Sequence, residues 1–402
     1  MSSWYRTYGR WALLLGFLQG LSPFAIDMYL PAMPWLARDL QAPVASVQAS
    51  LMAFIVALGV AQWVYGPLSD MVGRRKPLWV GLTLYVAGSL GCAWAPDIGT
   101  LVLMRFVQGI GACAVVVIPR AVVRDLLSGH EAAKLMALLM LVFSISPMLA
   151  PYVGTLVMEP WGWRAAFWVL MLAGVLGMYL VVFRLKETHP PSSRTPLSWM
   201  GTVRAYRQVL VDQHFWVPAL VGAFSFSAFL NYLAHSAFVF MDTYGWSAKA
   251  YSLVFAVNAF FFIGGAQVGP RLAKRFGLLP QARWATTFFM GVAVLHAGLQ
   301  TWFSLTPEVL AVGLWLTFLG LGLILPATSV MAMDAQPRLA GTASSMMGSM
   351  QFLLGAAMVG VLSLLGNKGM LTMLWGMVFS AVMAWALARW VLKAAAPAPV
   401  RQ

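Results

Sequence analysis

Stretches of apolar residues, each about 20 long, alternate with charged turns or Pro and Gly breaks along the whole 402-residue chain. Each is long enough to carry an α-helix across the hydrocarbon core of a bilayer. Twelve are predicted, at 11–34, 45–67, 77–95, 100–122, 135–158, 165–185, 215–240, 249–269, 283–303, 309–332, 341–365 and 371–392. The breaks are short except for one polar stretch from Lys186 to His214. It divides the chain into a six-helix bundle over 1–185, a linker over 186–214 and a second six-helix bundle over 215–402. In the linker, Trp199, Val203, Tyr206 and Leu210 recur at helical spacing, with Arg204 and Gln208 on the other side. That pattern predicts a short helix lying on the membrane surface; a flexible tether is the alternative. The first run follows Arg6 and Arg10 as a signal peptide would. From Trp11 to Met33 it is too long for one and leads to no cleavage site, so it is read as the first span.

Composition agrees. Of the residues, 61% are hydrophobic and 9% charged, against roughly 45–50% and 25% in a globular domain. Most of the outer surface must therefore face lipid. The formal net charge of +14 would suit a nucleic-acid binder, but its placement argues otherwise. With the N-terminus inside, the outer segments hold only Arg38, Arg164, Lys249 and Lys368 of the 26 basic residues. Arg105 lies within a span, and the other 21 fall on the inner side. This is the positive-inside bias of a membrane protein, and no nucleic-acid partner is expected. Cys92 and Cys113 lie in apolar stretches and are read as small hydrophobes, not as a disulfide or metal pair.

A faint repeat relates the halves. Gly66-Pro67-Leu68-Ser69-Asp70-Met71-Val72-Gly73-Arg74-Arg75-Lys76 follows the second run, and Pro270-Arg271-Leu272-Ala273-Lys274-Arg275-Phe276-Gly277 follows the eighth. Leu, a polar or charged residue, and Gly recur at matched offsets. The predicted fold class is all-α, with twelve transmembrane helices in two pseudo-symmetric six-helix bundles. The Gly66–Lys76 loop resembles the signature between helices two and three of the major facilitator superfamily. Leu101-x-x-x-Arg105-x-x-Gln108-Gly109-x-Gly111 resembles the fourth-helix motif of its proton-coupled members, and Pro147-x-x-x-Pro151-x-x-Gly154 the fifth-helix motif of its antiporters. Asp27-Met28-Tyr29-Leu30-Pro31 and Ala340-Gly341-Thr342-Ala343-Ser344-Ser345 resemble the Bcr/CflA group of drug:proton antiporters. Met71 stands where the loop motif usually has arginine, and Thr155 where the fifth-helix motif has a second glycine.

The residues carry chemistry of their own. Asp27 is the one acid placed inside a span, and an intramembrane carboxyl marks a functional site by default. It is read as a proton carrier; a structural carboxyl capping broken backbone near Pro31 and Pro34 is the alternative. Arg105 is the one base well inside a span, and a guanidinium there must be paired or wet. Counted from the inner ends of their spans at about 1.5 Å per residue, Asp27 lies roughly 21 Å deep and Arg105 roughly 24 Å. A direct or water-bridged link between them is expected, unless Arg105 ties backbone carbonyls between helices. For Asp70 and Arg74, with Gly66, Gly73 and Arg75, the resemblance implies a gating latch that breaks on inward opening. Pro147, Pro151 and Gly154 can bend the fifth helix and let it pack closely. Substrate-pocket candidates are Tyr29, Gln62, Gln108, Asn231, His235, Gln267 and Gln351. Asn231 and His235 stand i, i+4 on one helix face, and His235 is a candidate second protonation site. Intramembrane polar residues also serve as helix–helix glue.

No catalytic pair, metal-spaced cluster or P-loop is found in the sequence, and no charge ring or filter of a channel. The expected protein is a monomeric secondary transporter, not an enzyme, with no cofactor and no metal. It would export small neutral or amphiphilic drugs in exchange for protons, drawing on the proton gradient, from the bacterial inner membrane. Its partners are then the small-molecule substrate, protons and membrane lipid. A proton-coupled transporter of one metabolite, such as a nucleoside or sugar, is the alternative. The charge asymmetry predicts that both termini are cytoplasmic. Reporter fusions at Val44 and Thr306 should be active outside and one at the C-terminus inside; external activity of the C-terminal fusion would reverse the topology.

Overall fold

The computed structural model describes residues 3–194, 199–336, 339–365 and 369–392, with side chains from residue 9 onward except those of residues 133, 193 and 199. Among the basic residues counted above, Arg338, Lys368, Lys393 and Arg401 lie outside the described residues. No strand occurs among the described residues. The helices are α1 (Ser3–Asp27), α2 (Met33–Asp39), α3 (Val44–Val72), α4 (Arg75–Ala93), α5 (Ile98–Leu126), α6 (Gly129–Trp161), α7 (Arg164–Phe183), α8 (Trp199–Val211), α9 (Gln213–Ala237), α10 (Ala248–Phe276), α11 (Leu278–Phe303), α12 (Pro307–Asp334), α13 (Ala340–Leu364) and α14 (Met370–Ala386). Among the described residues, ten candidate spans meet the length and apolarity of a membrane crossing, the first running from Gly9 to Asp39 across α1 and α2. Of the other two predicted spans, α4 has 19 residues and α11 has 26. Several helices outrun their apolar runs, so Arg120 and Arg124 stand on the last turns of α5, not on a loop.

The chain forms two compact units. Unit 1 holds residues 1–197, 233–259 and 363–367; unit 2 holds 198–232, 260–362 and 368–402. The outward faces are apolar: Leu13 is 78% exposed, Phe183 69% and Trp302 82%. Surfaces of this kind suit lipid and not water.

Small residues set the packing inside each unit. In unit 1, a Cβ on Gly111 of α5 would strike the backbone of Gly81 and Tyr85 on α4, and one on Gly109 would strike the Phe54 carbonyl of α3. In unit 2, a Cβ on Gly322 of α12 would strike the Phe262 carbonyl of α10. Glycine lets backbones approach this closely where apolar burial gives no drive. Gly109 on Phe54 and Gly322 on Phe262 are thus one contact made twice, which deepens the repeat seen in the loops. The loops match as well: Gly73 and Gly277 end α3 and α10 with φ of 97° and 88°, where glycine is favoured.

The linker helix forms as α8, but its apolar stripe divides. Val209 is buried with Phe215, Ala219, Ala332, Ala343 and Met346, and Tyr206 packs against that cluster. Val203, Leu210, Met200 and Val211 stay exposed. One side of the helix is needed by unit 2, so two of the predicted positions turn away from it.

Gly111→Val should wedge α4 from α5 and lower the thermal midpoint in detergent by at least about 5 °C. Gly291→Val, which meets nothing within 4 Å, should leave it unchanged. Equal midpoints for the two variants would contradict the contact.

Candidate functional site

The first helix breaks within the membrane, and the polar centre of unit 1 is built on the break. Pro31 and Pro34 cannot donate backbone hydrogen bonds, so α1 stops at Asp27 and a 3-10 turn over Leu30–Ala32 leads into α2. The last bond of the α1 series runs from Met28 N–H to the Phe24 carbonyl at 3.0 Å. The next carbonyl, that of Ala25, instead accepts Nη1 of Arg105 at 2.9 Å. Arg105 is wholly buried. Its Nη1 also donates to Oε1 of Gln108 at 2.6 Å, while Nε and Nη2 have no hydrogen-bond partner among the described residues. Aromatic faces supply the rest: the guanidinium carbon lies 4.4 Å from the Phe54 ring centroid, 4.9 Å from Tyr29 and 5.9 Å from Phe167. Such contacts are strong when desolvated.

The relay continues outward. Gln108 Nε2 donates to Ser89 Oγ at 2.8 Å, Ser89 Oγ to the Tyr85 carbonyl at 2.7 Å, and Tyr85 Oη to the Leu21 carbonyl of α1 at 3.1 Å. Tyr29 Oη and Ser50 Oγ lie 2.7 Å apart. Asp27 is 3% exposed, yet it makes no hydrogen bond or ion pair with any described residue. It neither caps the broken backbone nor pairs with Arg105. Arg105 instead bonds the backbone at Ala25, two residues from the acid. The direct link expected there is not formed, because the guanidinium is turned to the backbone.

Gly154 of α6 lies against the Met28 carbonyl at the same break. Three residues behind it in the motif, Pro151 contributes its carbonyl to Thr155 Oγ1 at 3.0 Å; Pro147 lies one turn earlier within the same helix. Thr155 is also 3.0 Å from Ser252 Oγ of α10. Around it, Lys249 pairs with Glu159 at 2.6 Å, Arg38 with Asp242 at 2.5 Å, and Gln48 Nε2 donates to the Ala234 carbonyl at 3.0 Å. These bonds gather residues 233–259 into unit 1, at the end away from the Gly66–Lys76 loop.

The loop end carries a second cluster. Arg74 is buried; it donates through Nε and Nη2 to Asp125 of α5 at 2.7 and 3.0 Å, and through Nη1 to Ser69 at 2.9 Å and to Asp70. Glu187 accepts the backbone N–H groups of Arg74, Arg75 and His189 at 2.8, 3.2 and 3.1 Å. It thereby caps α4, whose N-cap residue makes no side-chain cap bond. Gly66 lies on α3 a turn before Asp70, and Arg75 Nη2 reaches the Val182 carbonyl at 2.9 Å.

The pocket candidates are dispersed. Tyr29, Gln62, Gln108 and His235 fall in unit 1, Asn231, Gln267 and Gln351 in unit 2. Both ends of the Gln108 amide are engaged in the relay. Gln62 is buried without a hydrogen-bond partner among the described residues. Asn231 and His235, although one turn apart on α9, belong to different units; Asn231 donates to the Met373 carbonyl at 2.6 Å. Gln267 is exposed, and Gln351 is half-buried beside Gly222. Sequence reasoning missed Phe54, Phe167, Tyr85, Ser89, Asp125 and Glu187. Only Asp125 and Glu187, acids just past the ends of predicted spans, carried a signal.

An all-α chain of lipid-facing spans, with a packing plan used twice and an arginine held in one polar centre, is a membrane transporter by class. It belongs to the Major Facilitator Superfamily, whose family model matches residues 15–359. An uncharacterized MFS-type transporter, YdgK of Bacillus subtilis, is 36% identical over 86% of each chain. A bicyclomycin resistance protein homolog of Haemophilus influenzae is 29% identical over 86% of this chain and 87% of its own. The fold is also that of the xylose transporter XylE from E. coli, in its partially occluded inward open conformation. That match has a TM-score of 0.72 at 13% identity and covers 97% of this chain and 98% of that one.

Burial of Glu187 pushes its carboxyl up, but the three backbone N–H bonds and nearby Arg194 outweigh this and hold it below the ordinary value of 4.5. Its contribution to stability is therefore present above about pH 4.5 and is lost as pH falls through the lower folded value. On acidification from about pH 6 to about pH 4, wild-type stability should fall more steeply than that of Glu187→Gln. Equal pH dependence of the two proteins would remove Glu187 as a stabilising cap of α4.

Proposed function

We propose that this protein is a twelve-span exporter of small neutral or amphiphilic drugs, driven by proton exchange through alternating access. Here α4 and α11 count as spans, and both termini face the cytoplasm of a bacterial inner membrane. The single observation that carries the reading is Asp27, a buried carboxyl at the break of α1 with no partner among the described residues. An unpaired charge in a medium of low polarity is costly, so it must be met by a proton or by a bound cation. Taking up or releasing a proton at Asp27 breaks no bond within the protein.

The surroundings connect that proton to motion. The Met28 carbonyl, next in the chain, is packed on Gly154, and α6 makes the Thr155–Ser252 and Glu159–Lys249 contacts at the next residue and five residues further on. A change of charge at the α1 break thus acts on the helix that carries the clasp. Arg105 keeps its charge throughout and holds the break in place. The relative named for bicyclomycin resistance supports drugs as cargo. Tyr29, Gln62 and His235 of unit 1 remain pocket candidates, as do Asn231, Gln267 and Gln351 of unit 2.

Exchange of a neutral substrate for a proton moves net positive charge inward, so both the pH gradient and the membrane potential should drive export. In vesicles, Asp27→Asn should abolish gradient-driven efflux of a chloramphenicol-like compound while leaving its binding within about threefold of wild type, since the amide keeps shape and hydrogen bonding. Arg105→Ala should cripple transport, and Arg105→Lys should restore little because an ammonium lacks the planar fork. Full gradient-driven efflux by Asp27→Asn would remove that residue from the mechanism.

A further inference from the structure

Three cations of unit 1 converge where no described residue answers them. Arg10 stands near the start of α1, Arg184 directly follows α7, and Lys186 lies two residues on. All three line one cavity of about 820 Å³. Its remaining wall is apolar and aromatic, including Trp11, Leu13, Tyr179 and Phe183. None of the three side chains makes an ion pair or hydrogen bond with a described residue. The adjacent acid, Glu187, is spent on the backbone of Arg74, Arg75 and His189. No carboxylate lines the cavity.

The wall turns outward along the span. Leu13 is 78% exposed, Phe183 69% and Tyr179 51%, and the Tyr179 and Phe183 rings pack at 4.8 Å between centroids. Aromatic rings at this level mark the interface between headgroups and chains. A soluble anion would satisfy the cations and leave the wall bare; a hydrocarbon chain would do the reverse. A zwitterionic headgroup brings its own ammonium into a site that already holds three positive charges.

We propose that this groove is a binding site for an anionic glycerophospholipid of the inner leaflet, its phosphate against Arg10, Arg184 and Lys186 and an acyl chain along the α1–α7 wall. A second groove of unit 1 supplies the contrast. It has a cavity of about 390 Å³ walled by Val60, Val64, Val80 and Phe106, with Lys76 as its one cation. It has the apolar wall without the charge cluster, and so offers nothing that would select an anionic headgroup.

The test uses the purified full chain in detergent, with lipids added back and bound lipid read by native mass spectrometry and thermal shift. Phosphatidylglycerol should be retained at least about tenfold better than phosphatidylcholine. The Arg10→Gln/Arg184→Gln/Lys186→Gln variant should lose that preference, whereas Lys76→Gln should keep it. Should the triple variant not fold, Arg184→Gln alone must still reduce the preference, and high salt must reduce it in the wild type. Equal retention of the two lipids by the wild type, or an unchanged preference in the folded variants, would overturn the proposal. So would an equal thermal shift from inorganic phosphate, which would assign the cations to a soluble anion.

Discussion

A helix broken inside a bilayer leaves a carbonyl that water cannot reach, and the architecture of unit 1 follows from how that carbonyl is met. Unsatisfied backbone in hydrocarbon is among the heaviest penalties a membrane fold can carry. Here the free Ala25 carbonyl takes a guanidinium from α5, which solves one problem by importing another, a charge that cannot be neutralised by losing its proton. Three rings and a glutamine then enclose that charge. The rings come from the α1 break, α3 and α7, and the glutamine is tied in turn to α4. One missing backbone bond thus fixes the positions of five helices, and the close glycine contacts of α5 are what let them stand near enough to act together.

Much of this was legible in the chain and some was not, for physical reasons. Spans announce themselves by apolar length, and Asp27 and Arg105 stand out because charge is rare in such runs; their shared depth follows from helical rise alone. The partner of Arg105 was not readable, because a backbone carbonyl has no letter. Phe54, Tyr85 and Phe167 are indistinguishable from the other aromatic residues of a membrane chain until the fold brings them to one point. Gln108 looked like a pocket residue because its partner, Ser89, is a small side chain on another helix. The i, i+4 spacing of Asn231 and His235 placed them on one helix face, but the boundary between the compact units crosses α9 between them. Thr155, which reads as a departure from a glycine motif, is a bonding residue here.

The bonds that hold residues 233–259 into unit 1 are of two kinds. Those between Thr155 and Ser252 and from Gln48 to the Ala234 carbonyl are buried and neutral. The ion pairs are open to the medium: the Arg38 and Asp242 side chains are 69% and 35% exposed, those of Lys249 and Glu159 52% and 36%. Exposed pairs are weak and are screened within about 10 Å at ordinary ionic strength. The clasp is therefore softest toward dissolved salt. Salinity thus enters as a thermodynamic variable of this protein, weakening the two exposed ion pairs while leaving the buried neutral bonds and the Arg105 centre untouched.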